Sequence, residues 1–260
     1  MCLIAFIYSP TQPIQLKLVA NRDEFYARPT AALAQWMGSP IVAGQDLHAG
    51  GTWLGVTANG RMAALTNHRN PSLIDERRTS RGALVSDFLA GDLSAADYFM
   101  QLRENCAQYN PFNLLCFDGH NLLGFESRTQ RTIEFEAGTY AVSNADFDST
   151  WPKSIALKND LNQTWIEPTR PSDDADLKNR LFAILGNAKI APDEQLPNTG
   201  IDLLRERALS AAFIDTPDYG TRASTIVAIG ARRASIIERS FKNAQMLGER
   251  TMDLGLFEKL

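Results

Sequence analysis

The chain has 260 residues, 44% of them hydrophobic and 22% charged, which suits a single domain spanning 1–260 with a core of its own. A net charge of −4 excludes a general electrostatic attraction to nucleic acid or anionic lipid. Cys2, Cys106 and Cys116 form an odd set without C-x-x-C spacing, which excludes a disulfide framework or zinc site and predicts reduced thiols in a cytoplasmic protein.

The apolar start from Cys2 to Tyr8 has no basic segment before it and breaks at Pro10, too short for a signal-peptide core. No later run approaches the roughly 18 apolar residues of a membrane span. "CLIAFIY" and "IQLKLVA" read as strands around a Ser-Pro-Thr-Gln-Pro turn. "TWLGVT" and "RMAALTN" flank a turn at Asn59-Gly60. Helices are predicted over 81–90 and 95–108, the second opened by Ser94 with Asp97 three residues on. Strands follow near 112–117, 121–126, 131–135 and 140–143, then helices near 151–162, 173–186 and 201–209. A last hairpin, "RASTIVAI" and "ASIIERS", turns at Gly230-Ala231-Arg232. Strands in blocks and helices in blocks predict an α+β fold of layered sheets with helices outside.

Cys2 directly follows the initiator methionine. Removing Met1 leaves a thiol and a free α-amine on one residue, a nucleophile with its own base. Facing residues of an antiparallel hairpin have a constant sum of positions, so a turn near Thr11 puts position 2 opposite about 20 or 21. "NRDE", Asn21 to Glu24, then emerges beside Cys2. Arg22 is expected to lower the thiol pKa and Asp23 to hold the α-amine. The same arithmetic on the second hairpin brings Gly51 and Thr52 opposite Asn67 and Thr66. Gly50-Gly51 then allows close approach of a ligand, and Asn67 can donate to an oxyanion. The bland readings are a small packed cysteine, a solvated strand end and an ordinary tight turn.

The motifs "MCLIAF", "VANRDEF", "AGGTWLG", "LTNHR", "SNADFDSTWPK" and "YGTRASTIV" together resemble the NRDE family, whose animal members are called transport and Golgi organisation protein 2. That family in turn resembles the cysteine branch of the N-terminal nucleophile hydrolases, which includes penicillin V acylase and bile salt hydrolase. The resemblance implies a four-layer αββα sandwich. It also implies Cys2 as nucleophile for a non-peptide amide or thioester, Arg22 and Arg222 as supporting arginines, and Asp23 at the amine. Asn67 and Asn144 are implied as oxyanion donors. Asn21, Glu24, Gly50, Gly51, Trp53, His68 and Arg69 are expected to face the ligand.

The resemblance leaves a second reading open, since the NRDE family is linked to haem trafficking and to acyl-coenzyme A or lipid handling. Haem as cargo needs an axial ligand, for which His48 and His68 lie beside site segments. Arg69, Arg77, Arg78 and Arg81 are the cations that acyl-coenzyme A phosphates would need. No phosphate-binding glycine fingerprint is present, and no cofactor is required.

Overall fold

In the computed structural model, residues 2–165 and 174–255 are described. Strand β1 (Cys2–Tyr8) shows why the molecule is layered. All seven of its side chains are buried, which requires cover on both faces. Cys2, Ile4, Phe6 and Tyr8 point into one apolar cluster, while Leu3, Ala5 and Ile7 point into another.

Strand β2 (Ile14–Phe25) returns antiparallel to β1 and carries the whole NRDE segment. Strands β3 (Thr30–Gln35), β4 (Ile41–Asp46), β5 (Leu54–Thr57) and β6 (Met62–Asn67) form a meander. Helices α1 (Gly82–Ala90) and α2 (Ala95–Asn105) follow. Ser94 caps α2, its hydroxyl oxygen accepting from the Asp97 amide at 3.1 Å, as the spacing predicts. Strands β7 (Phe112–Phe117), β8 (Leu122–Glu126), β9 (Arg131–Glu134) and β10 (Gly138–Val142) come next. Helices α3 (Pro152–Trp165), α4 (Asp174–Leu185) and α5 (Leu203–Ala208) precede strands β11 (Tyr219–Gly230), β12 (Arg233–Lys242) and β13 (Gln245–Gly255). Position 173, where the sequence reading starts a helix, lies outside the described residues.

Two antiparallel sheets result, ordered β10-β1-β2-β11-β12-β13 and β3-β4-β5-β6-β7-β8-β9. Three cores separate the layers. Between the sheets lie residues such as Phe6, Leu18, Val56 and Phe117. Helices α1 and α2 cover the outer face of the seven-stranded sheet through Leu84, Phe88 and Phe99. Helices α3 and α4 cover the six-stranded sheet through Leu157, Leu161 and Phe182. The order helix, sheet, sheet, helix is the αββα sandwich that was expected. No helix among the described residues is long and apolar enough to cross a membrane.

Three strands and one register depart from the sequence reading. Strands β3, β4 and β13 were not predicted. "TAALAQ" is rich in alanine, which does not favour strands, and most of β13 is exposed on both faces, so neither shows an apolar alternation. The first hairpin also pairs one or two residues later than expected: Cys2 faces Arg22, not position 20 or 21, because the connection runs from Ser9 to Pro13. The second hairpin pairs as expected, with Leu54 opposite Ala64 and Val56 opposite Met62.

Candidate active site around Cys2

The β1–β2 register places Cys2 and Arg22 side by side at one end of the six-stranded sheet. Both side chains face the other sheet. They line a cleft of about 930 Å3 whose walls also include Thr52, Trp53, Asn67 and Arg81. Strand alternation divides the NRDE segment between two environments. Arg22 and Glu24 turn to the cleft side. Arg22 Nη1 donates to Thr30 Oγ1 at 3.3 Å, and its Nη2 lies 3.5 Å from Asp46 Oδ2 and 3.8 Å from Glu24 Oε2. Arg28 completes the network on Asp46 at 2.7 Å.

Asn21 and Asp23 turn the other way. The Asn21 amide donates to the carbonyls of Leu185 at 2.8 Å and Ala212 at 2.7 Å, and its oxygen accepts from Ser224 Oγ at 2.6 Å. All of its hydrogen-bonding capacity is thus directed at the scaffold, and the expectation that it faces a ligand is corrected. Asp23 Oδ1 accepts from Thr221 Oγ1 at 2.8 Å, and the Asp23 carbonyl accepts from Tyr219 Oη at 2.9 Å. Burial raises the Asp23 pKa, and Lys153 opposes that rise.

Cys2 is 5% exposed. Burial pushes its thiol up to about 11, outweighing the opposite pull of Arg22. The expected activation of the thiol by Arg22 therefore has the right sign but loses to desolvation in a chain whose Cys2 nitrogen is still in a peptide bond to Met1. The Arg22 charge is also shared with Asp46 and Glu24.

The remaining expected residues fall into two groups. Asn67 and Trp53 line the cleft, as does the exposed His48. Arg222 lines it too, but from the bulge between Thr221 and Ala223. There its guanidinium donates to the carbonyls of Phe25 and Arg28, both at 3.0 Å, and of Phe241 at 3.2 Å. It holds backbone together beside the site.

The others sit outside the cleft lining. Asn144 is fully buried; its amide donates to the Asn67 carbonyl at 2.8 Å, and its oxygen lies 3.4 Å from Arg69 Nη2. It braces the strand end that carries Asn67, which corrects its placement as a donor at the cleft wall. Its neighbour Ser143 donates to the Cys2 carbonyl at 3.1 Å. Arg69 pairs with Glu206 at 2.8 Å under the ring of Trp151. The ring of His68 lies 3.1 Å from Arg128 and 3.8 Å from Asp146. Gly50 is exposed with φ at +79°, and Gly51 is pressed against the backbone of Gly82 at the start of α1. The close approach expected for a ligand is thus taken by a helix. Among the described residues, no group of three or more His, Cys, Asp or Glu side chains could hold a metal ion.

Three site residues escaped the sequence reading. Asp46 anchors Arg22 and Arg28, but the strand carrying it was not recognised. Glu238 lines the cleft and accepts from the Leu33 amide at 2.8 Å; burial raises its pKa to about 7. Lys153 is 4% exposed and brought down to about 7, chiefly by burial. "TWPK" at a helix start offers no signal that its lysine points inward.

Two solved structures show a low similarity to this chain. A Caenorhabditis elegans N-acylethanolamine-hydrolyzing acid amidase ortholog is 10% identical, with a TM-score of 0.46 over 87% of this chain and 92% of that one. A conjugated bile acid hydrolase mutant from Clostridium perfringens is 11% identical, with a TM-score of 0.46 over 97% and 92%. Likenesses this low carry no weight for the chemistry. The sequence relatives are closer. A Bos taurus transport and Golgi organization protein 2 homolog is 33% identical over 249 residues, 89% of each chain. The Homo sapiens homolog is 31% identical over 265 residues, 95% of each chain. The family model described as Transport and Golgi organisation 2 matches residues 1–243. The chain belongs to the Transport and Golgi organisation 2 family.

Proposed function

We propose that the cleft is the site of an acyl hydrolase of the N-terminal nucleophile type, acting on a non-peptide amide or thioester once Met1 has been removed. The observation that carries this reading is the convergence at one strand end. Cys2 lines a large cleft, Arg22 is its register partner, and Asp23 lies one residue further, where the Cys2 nitrogen begins the strand. In the reaction Cys2 Sγ attacks the acyl carbonyl and its proton passes to the α-amine. The amine then protonates the leaving nitrogen or sulfur, and water cleaves the resulting thioester to regenerate the thiol. Asn67 on the cleft wall is the candidate donor to the oxyanion.

A second reading is a carrier for an amphipathic anion such as haem or an acyl-coenzyme A. It is favoured by the neutral thiol of the unprocessed chain and by Arg81. That guanidinium lines the cleft and forms no salt bridge among the described residues, donating to the Pro111 carbonyl at 3.2 Å. Its body would occupy the cleft and its acid groups would meet Arg81 and Arg78.

One pair of measurements separates the two. Turnover of acyl amides and thioesters, and equilibrium binding of haem and acyl-coenzyme A, are measured on the processed protein and its Cys2→Ala variant. The variant should keep the fold, since a small buried side chain replaces another. Turnover lost with binding retained supports the hydrolase. Absence of turnover in the wild type, with binding indifferent to Cys2, overturns it in favour of the carrier.

A further inference from the structure

Behind the sheet end that carries Cys2 lies a second groove, of about 610 Å3, between α3 and the chain that leaves α4. Lys153, Ala156, Leu157 and Asp160 all line it. Their spacing of i, i+3, i+4 and i+7 is one stripe of α3, so the four side chains present a continuous wall. Ile184 and Ile190 stand in the groove from the other side. Ala212 closes it on the inside, where its carbonyl accepts from the Asn21 amide at 2.7 Å.

The two ends of the stripe differ in chemistry. Lys153 is 4% exposed, and its ammonium is buried without a hydrogen-bond partner among the described residues. Lysine is almost never buried so deeply unless paired. Asp23 supplies an opposing charge but no hydrogen bond to it. A carboxylate brought to the ammonium restores the charge-assisted bond that burial has removed. The N-terminal end of α3, where Lys153 sits, adds positive potential to the same spot. Asp160 lies two turns further on, about 10.5 Å along the helix axis by its rise per residue. It disfavours a second negative charge at that end. Lys189, the remaining charge on the walls, is exposed, and solvent screens it.

Between the ends the groove is aliphatic. Ile155 and Ile190 line it and yet are 45% and 54% exposed. Large apolar side chains at the lips of a groove with a buried cation beneath them suit an amphiphile, whose chain covers the lips while its head meets the charge. We propose that this groove binds an aliphatic monocarboxylate, with its carboxylate on the Lys153 ammonium and its chain laid along α3 towards Asp160. Such a ligand is independent of what the cleft on the other face of the sheet takes.

The test titrates sodium octanoate into the full chain by calorimetry, with octanol and octanedioate as comparison ligands. Octanoate is expected to bind, and the other two to bind at least several-fold more weakly, since one lacks the charge and the other brings a second carboxylate to Asp160. Lys153→Met should weaken octanoate about ten- to a hundredfold, the loss of one charged hydrogen bond. Ala156→Phe fills the groove from an exposed position and should abolish binding without disturbing the fold, which keeps the test decisive if the Lys153 variant does not fold. The place of binding is read by NMR of labelled isoleucine methyl groups, where octanoate should shift Ile155 and Ile190. A wild type that binds no octanoate, octanol bound as tightly as octanoate, binding indifferent to Ala156→Phe, or shifts confined to Ile74 of the cleft each overturn the proposal.

Discussion

Cys2 and Arg22 are register partners at the end of the β1–β2 hairpin, yet the arginine fork is held by Thr30 and Asp46. Arg22 is thus both a neighbour of the thiol and a bridge from one sheet to the other. A lysine cannot reproduce that bridge, because it offers a point charge where a planar fork is needed.

With Met1 attached, the Cys2 thiol is expected to react slowly. Its pKa of about 11 implies an alkylation rate that climbs roughly tenfold per pH unit from pH 7 to 10 without a plateau. Mass-spectrometric mapping of each cysteine against pH checks this, and a plateau below pH 9 would falsify it.

Asn21→Ala removes two donors from buried carbonyls and the acceptor of Ser224. The expected cost is about 2–4 kcal/mol, read by denaturant unfolding. Binding at the cleft should be unchanged in the folded fraction. A binding defect without a stability defect would restore Asn21 as a ligand contact.

Gly51→Ala drives a methyl group into the backbone of Gly82, where no flexible side chain can give way. The start of α1 must shift. A loss of about 1–3 kcal/mol is expected, together with weaker ligand binding, because Arg81 immediately precedes the same helix. A crystal structure of the variant with α1 unmoved would contradict this.

Glu238 has a folded pKa raised to about 7 from 4.5, so the folded chain binds that proton more tightly than the unfolded chain. Its contribution is fully present below pH 4.5 and is lost as pH rises to about 7. Glu238→Gln keeps an acceptor for the Leu33 amide and has no proton to lose. The variant should be more stable than wild type by about 1–3 kcal/mol above pH 7, with the gap closing towards pH 4.5. Unfolding free energies measured at pH 5 and pH 8 decide it.

Much of the sandwich was legible. β1 is apolar on every residue, and an element buried on both faces must lie between layers. Cys2 and Arg22 were legible as neighbours because both belong to one local hairpin. Asp46, Glu238 and Lys153 were not. They reach the site from strands and a helix far away in the chain, and a buried charge leaves no periodic mark on the sequence.

The sequence by itself determined the family, the blocks of strands and helices, and the presence of Cys2 beside an arginine and two carboxylates. These follow from local pattern and from the constant register of a hairpin. Only the tertiary structure decided which way each NRDE side chain turns and what it meets. Alternation sends Arg22 and Glu24 to the cleft and Asn21 and Asp23 to the buried scaffold behind it. A one-residue difference in turn length reverses that assignment, because successive side chains of a strand face opposite sides. The protonation of the site was decided there too. A pKa depends on burial and on charges brought in from distant elements, such as Lys153 facing Asp23, and neither exists until the layers have closed.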